Sequence, residues 1–167
     1  MTIARASFVV FVAFVLQVAF VARVPAFGAR GDLLLLVTVA AGMSGDAEKG
    51  AIVGFCSGLV FDMVLNTPLG LSALVYTVVG YAVGAIHGSV LHSGWWVPSA
   101  VAALASAVAV VMYGVLGEAV GQSTLSGPPL LTIVLVVAIG NAILVPVANR
   151  AMRWVFIDSS QRRFLAR

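Results

Sequence analysis

Few residues of this 167-residue chain are of a type that does chemistry, since only nine are Lys or Arg and six Asp or Glu. Asp62 alone places a carboxylate inside a long apolar run. At a bilayer centre such a group costs roughly 2–3 kcal/mol on insertion scales, so it requires a donor. The candidates are Asn66, Thr67, the free amides opening the next helix, or a partner protein. His87 and His92 stand about 140° apart around a helix, which does not make a metal-binding face, and no third ligand accompanies them. Cys56 has no second cysteine to pair with and reads as a small buried hydrophobe. Asn141, in the middle of the last apolar run, suits a helix-to-helix hydrogen bond, whereas Glu118 falls in a Gly/Ser/Pro stretch, Gly117 to Pro129, that reads as a loop. A nucleophile beside a base, a phosphate loop and paired carboxylates are all missing from the sequence. An enzyme is therefore not expected, and neither a cofactor nor a metal is implied.

The elements that must carry these residues are dictated by composition. The chain is 62% hydrophobic and 9% charged, with a mean hydropathy of +1.13, against roughly 25% charged in a soluble domain. It is predicted to be an all-α membrane protein of about six transmembrane helices, a single integral domain over 1–167. Strands are excluded by the lack of two-residue alternation and by the need to satisfy backbone groups in lipid. The spans expected are 6–23, 31–45, 49–65, 69–91, 96–117 and 129–149, followed by a basic tail over 150–167. The first run exceeds a signal-peptide core and is followed by more membrane sequence, so it reads as uncleaved. The second is short: Leu33 to Met43 covers only about 16 Å of a hydrocarbon core about 30 Å thick, so it recruits its flanks or is re-entrant. Pro146 interrupts the sixth.

Orientation follows from basic residues. With six spans and an inside N-terminus, Arg5, Lys49, Arg150, Arg153, Arg162, Arg163 and Arg167 are inside, seven of the nine, and only Arg23 and Arg30 are outside. Both termini are then cytoplasmic. These cations bracket helices and form no stripe interleaved with aromatics, so nucleic acid is not an expected partner. In the tail, Arg150, Arg153, Trp154, Arg162 and Arg163 suit an anchor on an anionic lipid surface.

The strongest pattern is a double pass over residues 50–88. Gly50, Gly54 and Gly58 recur every fourth residue with Asp62 next in step, and Gly80, Gly84 and Gly88 repeat the spacing. Each trio lies on one helical face, which lets two backbones approach closely in lipid. With Asn66, Thr67 and Pro68 between them, the runs form an antiparallel hairpin. Its stripes either pack against one another or meet a partner.

The run Gly54-x-x-x-Gly58-Leu59-x-x-Asp62, then Leu69-Gly70-x-x-Ala73-Leu74 and Gly80-Tyr81, resembles the central segment of the MreD family of bacterial rod shape-determining proteins. The leucine run after Asp32 and the small size agree with that resemblance. It implies a six-helix bundle like the substrate-binding components of energy-coupling-factor transporters. It also implies a non-catalytic scaffold of the cell-wall elongation machinery in the bacterial inner membrane, regulating peptidoglycan synthesis and cell shape. The partners implied are MreC and, through it, MreB filaments, RodA and a penicillin-binding protein, and Gly70 joins the other glycines as a contact position. The alternative is a vitamin-binding transporter component. Such a protein uses an Ala-x-x-x-Ala stripe on its first helix, which is missing between Ala6 and Ala22. It also converges several polar side chains on its ligand, and these are sparse here.

Overall fold

Ten consecutive residues of one short helix, Leu34 to Met43, are buried, and the rest of the molecule is arranged around them. The computed structural model describes residues 2–19, 31–64, 69–86, 96–122 and 130–165, with side chains described for all but 2–3, 64 and 157–165. The described residues form six helices: α1 (Thr2–Ala19), α2 (Leu33–Ser44), α3 (Ala47–Val64), α4 (Leu71–Ala85), α5 (Val97–Ala119) and α6 (Leu130–Leu165). α2 is apolar on every side because it touches all five other helices, the expected pattern of a helix enclosed by protein. That enclosure explains its shortness, since a helix walled by neighbours need not match the hydrocarbon thickness alone.

α2 is capped from two directions. The Asp32 carboxylate accepts the Leu35 amide at 2.9 Å. Gln17 of α1 accepts the Leu33 amide at 2.8 Å and donates to the Gly31 carbonyl at 2.9 Å. Two of the four amides that a helix start leaves unpaired are thus satisfied by side chains. At the other end Asp46 accepts the Lys49 amide at 2.9 Å and opens α3 after a two-residue turn.

α5 and the Leu130–Phe156 part of α6 are long and apolar enough to cross a membrane, and α1, α2 and α4 are shorter apolar helices. Large hydrophobics face outward on several helices, among them Phe11, Leu104, Leu131, Ile143 and Val147. A surface so apolar suits lipid.

Two boundaries differ from the sequence expectation. α6 is not interrupted at Pro146 but runs on to Leu165. Val145, Met152, Val155 and Phe156 are buried on one face, at the seven- and three-to-four-residue spacings of a helix stripe. That packing outweighs the amide lost at proline, whose effect in a membrane helix is tolerated where neighbours support it. The first two turns of the supposed tail therefore belong to the core. α5 likewise runs to Ala119, so Glu118 lies in its last turn and not in a loop. Buried Gly114 and Gly117 carry the small-residue face of Ala102, Ala105, Ser106 and Ala109 to that end. The helix stops where Gly121 takes φ 83°. There the amides of Gly121 and Gln122 return to the carbonyls of Glu118 and Gly117 at 3.0 and 2.9 Å, the Schellman pattern.

Candidate functional site

The seam between α3 and α4 is the most extensive helix pairing in the molecule. A methyl group added to Gly50 would strike the Gly80 carbonyl, and one added to Gly54 would strike that of Tyr76. At Gly58 it would meet the Ala73 Cα at 2.5 Å, and at Gly84 the Ala47 Cα at 2.6 Å. The pairs 84 with 47, 80 with 50, 76 with 54 and 73 with 58 run in opposite directions, so the helices are antiparallel and in backbone contact throughout. Gly88 lies outside the described residues, as do His87, His92 and the Asn66-Thr67-Pro68 loop.

Asp62 closes the far end of this seam. It is 2% exposed, and its carboxylate accepts the amides of Gly70 at 2.8 Å, Ser72 at 3.1 Å and Ala73 at 3.3 Å. These are amides that the start of α4 leaves without helical partners, and the negative charge sits at the positive end of that helix. Gly70 is the residue before α4 and takes φ 102°, a region open to glycine without steric penalty. Among the described residues nothing lies within 4 Å of where its Cβ would be, so the backbone conformation is the reason the described structure gives for a glycine here.

The α2 helix completes the node. Gly42 is close enough to α4 that an added methyl would lie 2.8 Å from the Gly80 carbonyl. Thr38 places its methyl 2.9 Å from the Cβ position of Gly80 and 3.0 Å from that of Gly54. Its hydroxyl lies 2.7 Å from that of Ser57, and both residues are fully buried. Three helices thus meet over small residues, with a hydroxyl pair bridging α2 and α3. Sequence reading missed Thr38, Ser57 and Gly42, although Gly42 and Gly50 flank the polar turn 44–49 at positions a short hairpin would bring together.

A second polar group lies at the Asp62 end of the bundle. Tyr76 donates its hydroxyl to the Asp32 carboxylate, which already caps α2, while Gln17 holds the adjoining backbone. The Tyr76 ring also stands 5.9 Å from that of Phe61. On the far side of the bundle, buried Asn141 donates to the Ser106 hydroxyl at 2.8 Å, joining α6 to α5.

At the opposite end the α6 extension is fastened by aromatic and polar contacts. The Arg5 guanidinium lies 4.9 Å from the Trp154 ring centre, and the Lys49 ammonium 5.5 Å from that of Phe156. Asn149 donates to the Met43 sulfur at 3.5 Å. Arg150, Arg153 and Trp154 are exposed on the opposite face from the buried Met152, Val155 and Phe156. Arg162 and Arg163 fall on the last turns of α6, where the backbone alone is described. Cys56 is exposed and not buried as expected, because Val53, Gly54, Ser57 and Gly58 occupy the inward face of α3.

Compared with protein families, the chain matches the one described as rod shape-determining protein MreD, over residues 2–155. No curated protein and no solved structure matches it.

Proposed function

Because the chain belongs to the MreD family of rod shape-determining proteins, membrane proteins with a role in determining rod shape, we propose that it is a non-catalytic scaffold of the cell-wall elongation machinery. In this reading it spans the bacterial inner membrane several times with both termini in the cytoplasm, in keeping with the excess of arginine and lysine at one set of helix ends. It binds an MreC-like protein and, through it, meets MreB filaments, RodA and a penicillin-binding protein. The exposed Arg150, Arg153 and Trp154, with Arg162 and Arg163, rest on anionic lipid at the cytoplasmic surface.

The observation that carries this reading is the family match over nearly the whole chain. It is supported by how the buried polar residues are used: Asp62, Thr38, Ser57, Ser106 and Asn141 are each engaged in joining one helix to another. Such an interior suits a rigid platform that presents its outer faces to other proteins. The glycines of the α3–α4 seam act inside the fold, so the partner is assigned to faces that remain open, such as the outward side of α1 with Phe8 and Phe11.

The test is affinity purification of the tagged chain from detergent-solubilised membranes. An MreC-like protein should be retained, and exchange of Phe8 and Phe11 for alanine should weaken its retention while Leu131→Ala, on the exposed side of α6, does not. Retention of an ATPase pair in its place would favour the transporter alternative.

A further inference from the structure

All six helices contribute to one cavity of about 420 Å³ at the Asp62 end of the bundle, with Phe14, Leu35, Phe61, Tyr76, Val110 and Ile133 each standing for one helix. Its volume falls within the range of small-molecule pockets, roughly 300–1,000 Å³. Protein interiors rarely leave voids much larger than a water molecule, because atoms lining an empty space forfeit their dispersion contacts. This cavity is partly open to the surface, and its apolar walls at the convergence of the whole bundle gain dispersion contacts from an occupant that fills it.

Water is a poor one. It needs two to four polar partners, whereas these walls are mainly aliphatic and aromatic. Of the polar groups that line the cavity with Tyr113, Gln17 is engaged with Gly31 and Leu33, and Asp32 with Leu35 and Tyr76. Beyond the Tyr76 hydroxyl and the amides of Leu35 and Leu34, the two carboxyl oxygens of Asp32 keep lone-pair capacity to accept a further hydrogen bond. Among the described residues neither Lys nor Arg lines the cavity, so the described lining offers no cation to offset the buried charge of a phosphate or carboxylate headgroup.

We propose that this cavity binds one uncharged, largely apolar molecule that carries a hydroxyl, with the hydrocarbon or aromatic body among Phe14, Phe61, Val110 and Ile133 and the hydroxyl donating to Asp32. A free long-chain or isoprenoid alcohol and a neutral glycerolipid share this chemistry. The site is tested apart from the scaffold reading, because apart from the half-exposed Val18, which shares the Phe11 side of α1, its lining includes neither that outward face nor the α6 extension.

The test is mass spectrometry of the intact protein released from micelles loaded with hexadecanol, hexadecanoate or hexadecane. One hexadecanol should remain per chain, with retention about ten-fold above that of hexadecanoate, because burying the acid's charge beside Asp32 is costly where no described cation offsets it. Hexadecane should be retained less than the alcohol. Val110→Phe and Val18→Phe, which intrude on the cavity from α5 and from the half-exposed end of α1, should each abolish retention, while Leu131→Phe on the outer surface should not. A diacylglycerol probe retained in the alcohol's place identifies the glycerolipid source; retention of hexadecanol alone identifies the free alcohol. Equal retention of all three probes, or retention unchanged in both cavity variants, would overturn the proposal.

Discussion

The carboxylate of Asp62 accepts the Gly70 amide at 2.8 Å, tying the last turn of α3 to the residue that starts α4. The same carboxylate reaches Ser72 and Ala73. A group that would be costly in lipid thereby becomes the clasp of the α3–α4 hairpin, sheltered by the amides that need it.

Replacing Asp62 separates this role from a surface role. Asp62→Asn keeps one acceptor oxygen and should lose about 1 kcal/mol of stability. Asp62→Leu leaves several buried amides without an acceptor, each costing about 1–3 kcal/mol, and should lose more than the asparagine variant. Unfolding in mild detergent measures both, and a leucine variant as stable as the parent would show that the clasp contributes nothing.

Glycine substitutions should divide sharply by position. Gly50→Ala drives a methyl into the Gly80 backbone, which must move, whereas Gly140 has nothing among the described residues within 4 Å of the added atom. Overpacking of a close seam costs about 1–3 kcal/mol, so Gly50→Ala should lower the melting temperature. Gly140→Ala should leave it unchanged or raise it, since alanine is the better helix former by about 1 kcal/mol. Equal behaviour of the two variants would mean that the α3–α4 backbones are not in contact.

Much of the seam is legible in the sequence, because a four-residue glycine period places small residues on one face of a helix. Asp62 was legible too, as a carboxylate continuing that period with no cation to meet it, and the free amides of the next helix were among its candidate donors. Other features were not. Thr38 and Ser57 look like ordinary small residues in apolar runs, and only the three-dimensional crossing of α2 over α3 brings their hydroxyls together. Tyr76 and Asp32 are 44 residues apart, a separation no local pattern encodes. The α6 extension was hidden for a different reason: its arginines and tryptophan announce a surface, while Met152, Val155 and Phe156 lie between them on the other face. Cys56 shows the converse, since lipid outside and protein inside are equally apolar and hydropathy does not tell an outward residue from an inward one.

Truncation distinguishes the two parts of the α6 extension. Ending the chain after Asn149 removes the buried Met152, Val155 and Phe156 together with the Arg5–Trp154 and Lys49–Phe156 contacts. Burial of each such side chain is worth about 1.5–3 kcal/mol, so this variant should melt lower and accumulate poorly. Ending after Phe156 should keep the bundle stable but lose Arg162 and Arg163, reducing sedimentation with vesicles of anionic lipid. Full stability of the shorter form would contradict the packing described for α6.

The family gives this protein a role in rod-shape determination, and the proposed scaffold rests on the α3–α4 hairpin. The most direct measurement is cell shape on depletion of the chromosomal gene, with the parent or a variant supplied in trans. Depletion should turn rods into round cells while vitamin uptake stays constant. The parent and Gly140→Ala should restore the rod, and Gly50→Ala and Asp62→Leu should restore it less well, in step with their loss of stability. Cells that keep their shape on depletion but lose uptake of a vitamin would contradict the claim.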